Sequence, residues 1–235
     1  MQPMASGVNF WSGFGNCPQP SAPVRNLLLA LPWATEDNFF LRLLNIKDWQ
    51  PTGDGATLSL AGNRMRVAEP EFCFRMARDM PPRATPYAQD EVMAAVGALH
   101  LALEVPDSRF EVFEKAGEAQ LIADNACTAQ FVLGPEAPAL WRDLDLSRHA
   151  VTGNVTTAKG ECWTRDGVGE NVLGDPRMAL TWLANCLSGL GETLAAGQII
   201  TTGACMKPLE IGPGDAVCAD YGTLGRVTLR FDPRA

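Results

Sequence analysis

Glu69 and Glu71 stand two positions apart in the stretch Arg64 to Met80, Arg-Met-Arg-Val-Ala-Glu-Pro-Glu-Phe-Cys-Phe-Arg-Met-Ala-Arg-Asp-Met. Along a strand, successive side chains point to opposite faces. The two glutamates then share one face, about 6–7 Å apart along the strand. Ala68, Phe72, Phe74 and Met76 form the other, apolar face. A third carboxylate, Glu104, lies in the run Ala-Leu-Glu-Val-Pro-Asp-Ser-Arg-Phe. Between Leu103 and Val105 the chain would ordinarily bury an apolar group. An unpaired carboxylate is costly there and wants a cation or a proton.

Three carboxylates brought together repel one another unless a proton or a metal relieves them. An all-oxygen set suits Mg²⁺, Mn²⁺ or Ca²⁺ rather than zinc or copper. Octahedral Mg²⁺ held by three protein oxygens keeps about three positions open. A 2-oxo acid fills two of those with its carboxylate and keto oxygens, and the cation then stabilises an enolate as a Lewis acid. Glu-x-Glu alone is weak evidence, since such a pair is more often the solvated face of a strand. The apolar face opposite and the apolar frame of Glu104 favour the metal.

The elements that must position these groups follow from local pattern. The strand carrying the glutamates stops at Asp79-Met-Pro-Pro, where two prolines end a ladder. Val92, Ala95, Val96, Leu99 and Leu103 recur at helical spacing, which predicts a long helix over residues 87–103 with Asp90 and Glu91 in its first turns. Glu104 is then expected at a helix end, and His100 beside the buried stripe as a packing histidine. Asp107 and Arg109 are expected to pair or to cap the following turn. Residues 121–134 read as a loop carrying Asp124-Asn125, then a strand. Lys159-Gly160 predicts a hairpin within residues 151–164. Asp175 as N-cap and Pro176 at the first helical position start a second long helix. A strand over 199–202 and a final hairpin of 216–221 with 226–231 complete the order. The class is α+β, with a curved, largely antiparallel or mixed sheet and two long helices.

Composition bounds the partners. A net charge of −8 repels phosphate backbones, so no nucleic acid is expected. The longest apolar clusters, near residues 27–33 and 198–202, fall far short of the ~18 residues of a membrane span. The start of the chain lacks the ordered features of a signal peptide. The seven cysteines show no C-x-x-C pair and are expected as free thiols in a reducing cytoplasm. The two histidines, His100 and His149, lie far from any cysteine cluster, which disfavours zinc. Gly167 to Gly174 is glycine-rich but lacks the phosphate-loop lysine. Residues 1–62 carry no motif with chemistry, and Trp11, Trp33 and Trp49 read as packing residues.

Val67-Ala-Glu-Pro-Glu-Phe-Cys-Phe-Arg-Met-Ala-Arg-Asp-Met-Pro resembles the glutamate-x-glutamate strand of the 2-keto-4-pentenoate hydratase and 4-oxalocrotonate decarboxylase branch of the fumarylacetoacetate hydrolase superfamily. Leu103-Glu-Val-Pro-Asp-Ser-Arg-Phe is similar to the segment bearing that branch's third metal glutamate. Ala123-Asp-Asn-Ala, Phe131-Val-Leu-Gly, Leu173-Gly-Asp-Pro, Trp182-Leu-Ala-Asn, Thr201-Thr-Gly and Pro213-Gly-Asp follow in the same order. The resemblance covers residues 64–231. It implies a mixed β-roll or sandwich over residues 63–235, behind a shortened N-terminal segment of residues 1–62. It implies Mg²⁺ or Mn²⁺ held by Glu69, Glu71 and Glu104. It further implies small 2-oxo or 2-hydroxydienoate acids as substrates, a homo-oligomer, and a pocket lined by Asp124, Asn125, Thr202 and Gly203. The expected activity is that of a hydratase-like lyase working through an enolate, with Asp124 or a water at the metal as base. A C–C hydrolase, a decarboxylase and a catalytically degenerate acid-binding subunit are the alternatives. The family's Gly-x-Lys-x-Gly-type motif upstream of the glutamate strand has no counterpart among Lys47, Lys115, Lys159 and Lys207.

Overall fold

The computed structural model describes residues 55–117, 120 and 124–234, with Asn125 described by its backbone only. Residues 1–54 of the expected N-terminal segment, with Trp11, Trp33 and Trp49, therefore lie outside the described residues. Among the described residues, ten strands form two sheets. The first holds β1 (Ala56–Leu58), β5 (Ala150–Thr156), β6 (Cys162–Val168), β9 (Ala216–Asp220) and β10 (Arg226–Phe231), in the order β1-β10-β9-β5-β6. The second runs β4 (Gln130–Glu136), β3 (Val96–Val105), β2 (Val67–Met76), β7 (Ile199–Ala204), with β8 (Leu209–Glu210) paired to β2. All pairings are antiparallel except β1 with β10, so the α+β class with mixed sheets stands.

The core lies between the sheets. Ala68, Phe72, Phe74, Met76, Leu99, Leu101 and Leu103 from one meet Val151, Val155, Val217, Ala219, Val227 and Leu229 from the other. β2 therefore splits its faces as alternation predicts, and its odd-numbered positions are turned away from this core. Cys73 and Ala102 join Phe131 and Leu133 in a separate, smaller cluster on that second face.

The expected helix over 87–103 is corrected. Only α1 (Gln89–Ala95) is helical, and the chain then turns directly into the ten-residue strand β3. Val96 to Val105 is a nearly continuous apolar run, and such a run suits a strand covered on both faces as well as a helix. Gly97 weakens the helical option, and pairing with β2, from Glu69–Glu104 to Arg75–Ala98, rewards the extended one. Glu104 is thus a strand residue, not a helix end.

The second helix forms as expected. α2 (Pro176–Gly189) starts at Asp175, whose carboxylate accepts from the Arg177 N–H at 2.7 Å. It buries Ala179, Leu180, Leu183 and Cys186, and Asn185 ties it to the entry of α1 through both the N–H and C=O of Tyr87. Cys73, Cys127, Cys162, Cys205 and Cys218 are free thiols. Cys186 is disulfide-bonded, against the expectation of a free thiol there.

Candidate metal centre

The central pair β2–β3 carries the site. In its register Glu69 lies directly opposite Glu104, and Glu71 opposite Ala102. Three carboxylate oxygens, one each from Glu69, Glu71 and Glu104, lie within 4.8 Å of one another. Glu71 is 0% and Glu104 1% exposed. The strand assignment of Glu104 places the third carboxylate squarely across the ladder, where opposed side chains stand closest.

Electrostatically the cluster is unfinished. Burial first, then the Glu71 charge, pushes Glu69 up to about 8. Burial raises Glu71 to about 7, although hydrogen bonds from Thr201, Gly203 and Glu104 work against the rise. Glu104 lies well above the ordinary carboxylate range, through burial and then through the charges of Glu71 and Glu69. No ion pair reaches any of the three among the described residues. Glu71 Oε1 and Glu104 Oε1 are buried and accept no hydrogen bond. A buried acceptor without a partner costs roughly 1–3 kcal/mol, more when charged. Two such oxygens, aimed from facing strands and joined by a third carboxylate, fit a hard divalent cation in donor type and in number.

The other oxygen of Glu71 is held. Gly203 donates its N–H at 3.1 Å, and the Thr201 hydroxyl donates to the same Oε2. Gly203 has φ +97°, a conformation that favours glycine and turns the β7 N–H toward the glutamate. The resemblance points to Thr202 for the pocket, yet it is Thr201 that meets Glu71. The Thr202 hydroxyl instead donates to the Phe72 carbonyl at 2.9 Å and pins β7 to β2.

Asp124 sits in a loop tied to the chain just after Glu104, where the Asp107 N–H donates to the Cys127 carbonyl at 2.8 Å. Its carboxylate accepts from Ser108 Oγ at 2.5 Å, from the Arg109 N–H at 3.2 Å and from the Arg109 guanidinium at 3.0 Å. Burial raises its pKa, but these donors outweigh burial and hold it below the usual value. Arg109 therefore pairs with Asp124 and not with Asp107, which caps the backbone N–H groups of Arg64 and Met65. Ala126 and Cys127, with φ 52° and 64°, are both left-handed in this loop. His100 lies opposite Cys73 and binds the Gly134 carbonyl through Nδ1 at 3.1 Å.

Comparison with known proteins gives a consistent picture. Residues 50–232 match the family model described as fumarylacetoacetate (FAA) hydrolase C-terminal. The chain is 33% identical over 179 residues to 2-keto-4-pentenoate hydratase from Burkholderia vietnamiensis, covering 76% of this chain and 65% of that one. It is 36% identical over 141 residues to 4-oxalocrotonate decarboxylase from Pseudomonas putida, covering 60% and 51%. Among solved structures it resembles 4-oxalocrotonate decarboxylase from Pseudomonas putida G7 complexed with magnesium and adipate, with TM-score 0.66, 29% identity, and coverage of 77% of this chain and 66% of that one. The same decarboxylase complexed with calcium and acetate matches with TM-score 0.64. The chain thus spans about two thirds of the length of these relatives, or less.

Proposed function

The chain belongs to the fumarylacetoacetate hydrolase C-terminal family, and from that premise we propose that it is a divalent-metal-dependent, hydratase-like lyase acting on a small 2-oxo acid or its 2-hydroxydienoate enol. One observation carries the reading: one carboxylate oxygen from each of Glu69, Glu71 and Glu104 lies within 4.8 Å of the others, and Glu71 Oε1 and Glu104 Oε1 are buried without a hydrogen-bond partner. Glu69, Glu71 and Glu104 would hold Mg²⁺ or Mn²⁺, which supplies a Lewis acid for the 2-oxygen of the substrate. Thr201 and Gly203 keep Oε2 of Glu71 fixed, so that Oε1 alone is left for the cation. The buried strands around Glu104 keep bulk water away and strengthen the electrostatics of the site.

Asp124 enters with a changed role. With a lowered pKa and its oxygens already accepting from Ser108 and Arg109, it is a weak proton acceptor near neutral pH. It holds the loop that packs after Glu104. Gly203 and Asn125 remain as proposed lining of the substrate side; Thr202 holds the strand beneath. The wider reading is of a cytoplasmic homo-oligomer that takes small acids of aromatic catabolism. The acidic net charge supports the exclusion of nucleic acid. Among the described residues no helix is long and apolar enough to cross a membrane.

A decarboxylase is the second reading, favoured by the likeness to the magnesium-bound decarboxylase structure. The test is metal analysis of the purified protein, followed by absorbance assays on 2-hydroxypenta-2,4-dienoate and 4-oxalocrotonate with Mg²⁺ or Mn²⁺. Loss of dienoate absorbance without CO₂ supports the hydratase, and CO₂ from 4-oxalocrotonate supports the decarboxylase. Pyruvate released from acylpyruvates would point to C–C hydrolysis. Metal uptake without turnover of any of these acids would leave a small-acid-binding subunit. Absence of metal uptake would end the proposal.

A further inference from the structure

Two irregularities in the second sheet converge on one register pair. The β2–β7 ladder slips between Glu71 and Cys73, and the β3–β4 ladder slips between His100 and Ala102. Glu71 and Ala102 face each other across β2–β3. They lie two positions along the ladder from the Glu69–Glu104 pair. A bulge disrupts pairing locally and leaves backbone groups to find other partners. Inside the protein such a carbonyl needs a donor.

Tyr221 supplies it. Its hydroxyl lies 2.9 Å from the Glu71 carbonyl and 3.4 Å from the Ala102 carbonyl. The residue is 0% exposed and comes from the other sheet, at the end of β9. Its own position is over-determined. Its N–H donates to the Gly225 carbonyl at 2.9 Å, its carbonyl meets His149 Nε2 at 2.7 Å, and its ring packs edge-on against Phe72 with centroids 5.3 Å apart. A phenylalanine would fill the same core volume. The hydroxyl is the part aimed at the two ligand-bearing strands.

We propose that Tyr221 is a positioning residue for the metal centre: its hydroxyl spans the Glu71 and Ala102 carbonyls of the β2–β3 pair, beside the slips in the two flanking ladders, so that Glu71 and Glu104 meet the cation already in place. The inference rests on the metal reading above. It gives the fold a reason to send one polar atom from β9 through the core to the back of the site. Groups that act through a metal ligand in this way typically cost 10–100-fold in metal affinity when removed.

The chain has two tyrosines, Tyr87 and Tyr221, so 3-fluorotyrosine labelling gives two ¹⁹F resonances, assigned with Tyr87→Phe. Titrating the chelator-treated full chain with Mg²⁺ should shift the Tyr221 resonance in step with occupancy and leave that of Tyr87 in place. In parallel, Tyr221→Phe should bind Mn²⁺ about 10-fold more weakly by electron paramagnetic resonance. Val217→Ala, a core change on the same strand, should lower the melting temperature without altering Mn²⁺ affinity. A Tyr221→Phe affinity within twofold of wild type overturns the proposal. So does a Tyr221 resonance indifferent to saturating Mg²⁺, which decides the matter even if the phenylalanine variant does not fold. Loss of affinity in Val217→Ala equal to that in Tyr221→Phe would also overturn it, since stability alone would then explain the effect. If wild type takes up neither ion, the metal reading falls first and this inference with it. If wild type binds while Tyr221 stays silent, only the positioning role falls.

Discussion

Glu104 and Asp124 are almost equally buried, at 1% and 2% exposed, yet they stand in opposite electrostatic states. Asp124 is surrounded by donors, from Ser108, the Arg109 backbone and the Arg109 guanidinium, and its pKa is held down. Glu104 is surrounded by carboxylates, keeps one oxygen without a partner, and its pKa is driven up. The sequence spacing of the two acids says nothing of this. A carboxylate that the fold supplies with donors serves the fold; one that the fold deprives of donors is waiting for something the chain does not contain.

The comparison breaks most readily by removing each charge in turn. Glu104→Gln should lower Mg²⁺ or Mn²⁺ affinity by more than ~100-fold, beyond the 10–100-fold typical of groups behind the ligands. The same variant, stripped of metal, should melt at or above wild type near neutral pH, because the fold no longer has to bury an acid that must take up a proton to be accommodated. Isothermal titration and thermal melting in chelator read the two effects. Asp124→Asn should do the reverse. Metal affinity should stay within a few-fold, while stability falls by about 1–3 kcal/mol as Ser108 and Arg109 lose an ionised acceptor. Arg109 is largely exposed, with 61% of its side chain accessible, so solvent softens that loss. Destabilisation by Glu104→Gln in the metal-free protein would show that the two clusters are not different in kind.

The split of β2 into a carboxylate face and an apolar face was legible because strand alternation is short-range and unambiguous. Glu104 stands out in the sequence as a buried carboxylate from its apolar flanks, and burial is what the structure shows, on a strand where the helical spacing predicts a helix end. Val96 to Leu103 satisfies both the helical and the buried-strand pattern, and only the pairing with β2, remote in sequence, decides between them. Proximity in the chain predicts that Asp107 and Arg109 pair or cap the turn; the partner of Arg109 is instead Asp124, brought in by a loop with two left-handed residues. Tyr221 gave no local signal at all, since its role depends on contact between the two sheets. Where a bond is made by the fold rather than by the neighbourhood, one chain of letters does not display it.

A pH series sharpens the contrast without mutation. The glutamate cluster has acids raised to about 8 for Glu69 and about 7 for Glu71, against an ordinary value of 4.5. Between these limits the folded, metal-free state holds more protons than the unfolded state, so stability declines with rising pH. This contribution is complete below about 4.5 and is lost as pH passes about 7 to 8. The surface pair Arg83–Glu91 works with the opposite sign. Glu91 is lowered to about 2, chiefly by the Arg83 hydrogen bond, so its contribution is present above 4.5 and lost toward pH 2. Melting temperatures of chelator-treated protein should therefore fall between about pH 5 and 8. Excess Mg²⁺ should flatten that fall by taking the place of the protons. A decline that persists unchanged in saturating Mg²⁺ would remove the link between the raised acids and the cation.

The smallest and most discriminating effect concerns the neighbours Thr201 and Thr202. Both are buried on β7, and both hydroxyls donate to β2, yet one reaches a carboxylate and the other a backbone carbonyl. Thr201→Val removes a donor from Glu71 Oε2 and should raise the Glu71 pKa further, since that hydrogen bond favours the ionised form. Protons then compete better with the metal, and affinity at pH 7 should fall several-fold, recovering as pH rises. Thr202→Val should cost about 1 kcal/mol of stability, the size of one lost hydrogen bond, with unchanged affinity at every pH. Equal behaviour of the two valine variants in a Mn²⁺ titration at pH 6, 7 and 8 would contradict the division of β7 into a side that serves the glutamates and a side that serves the core.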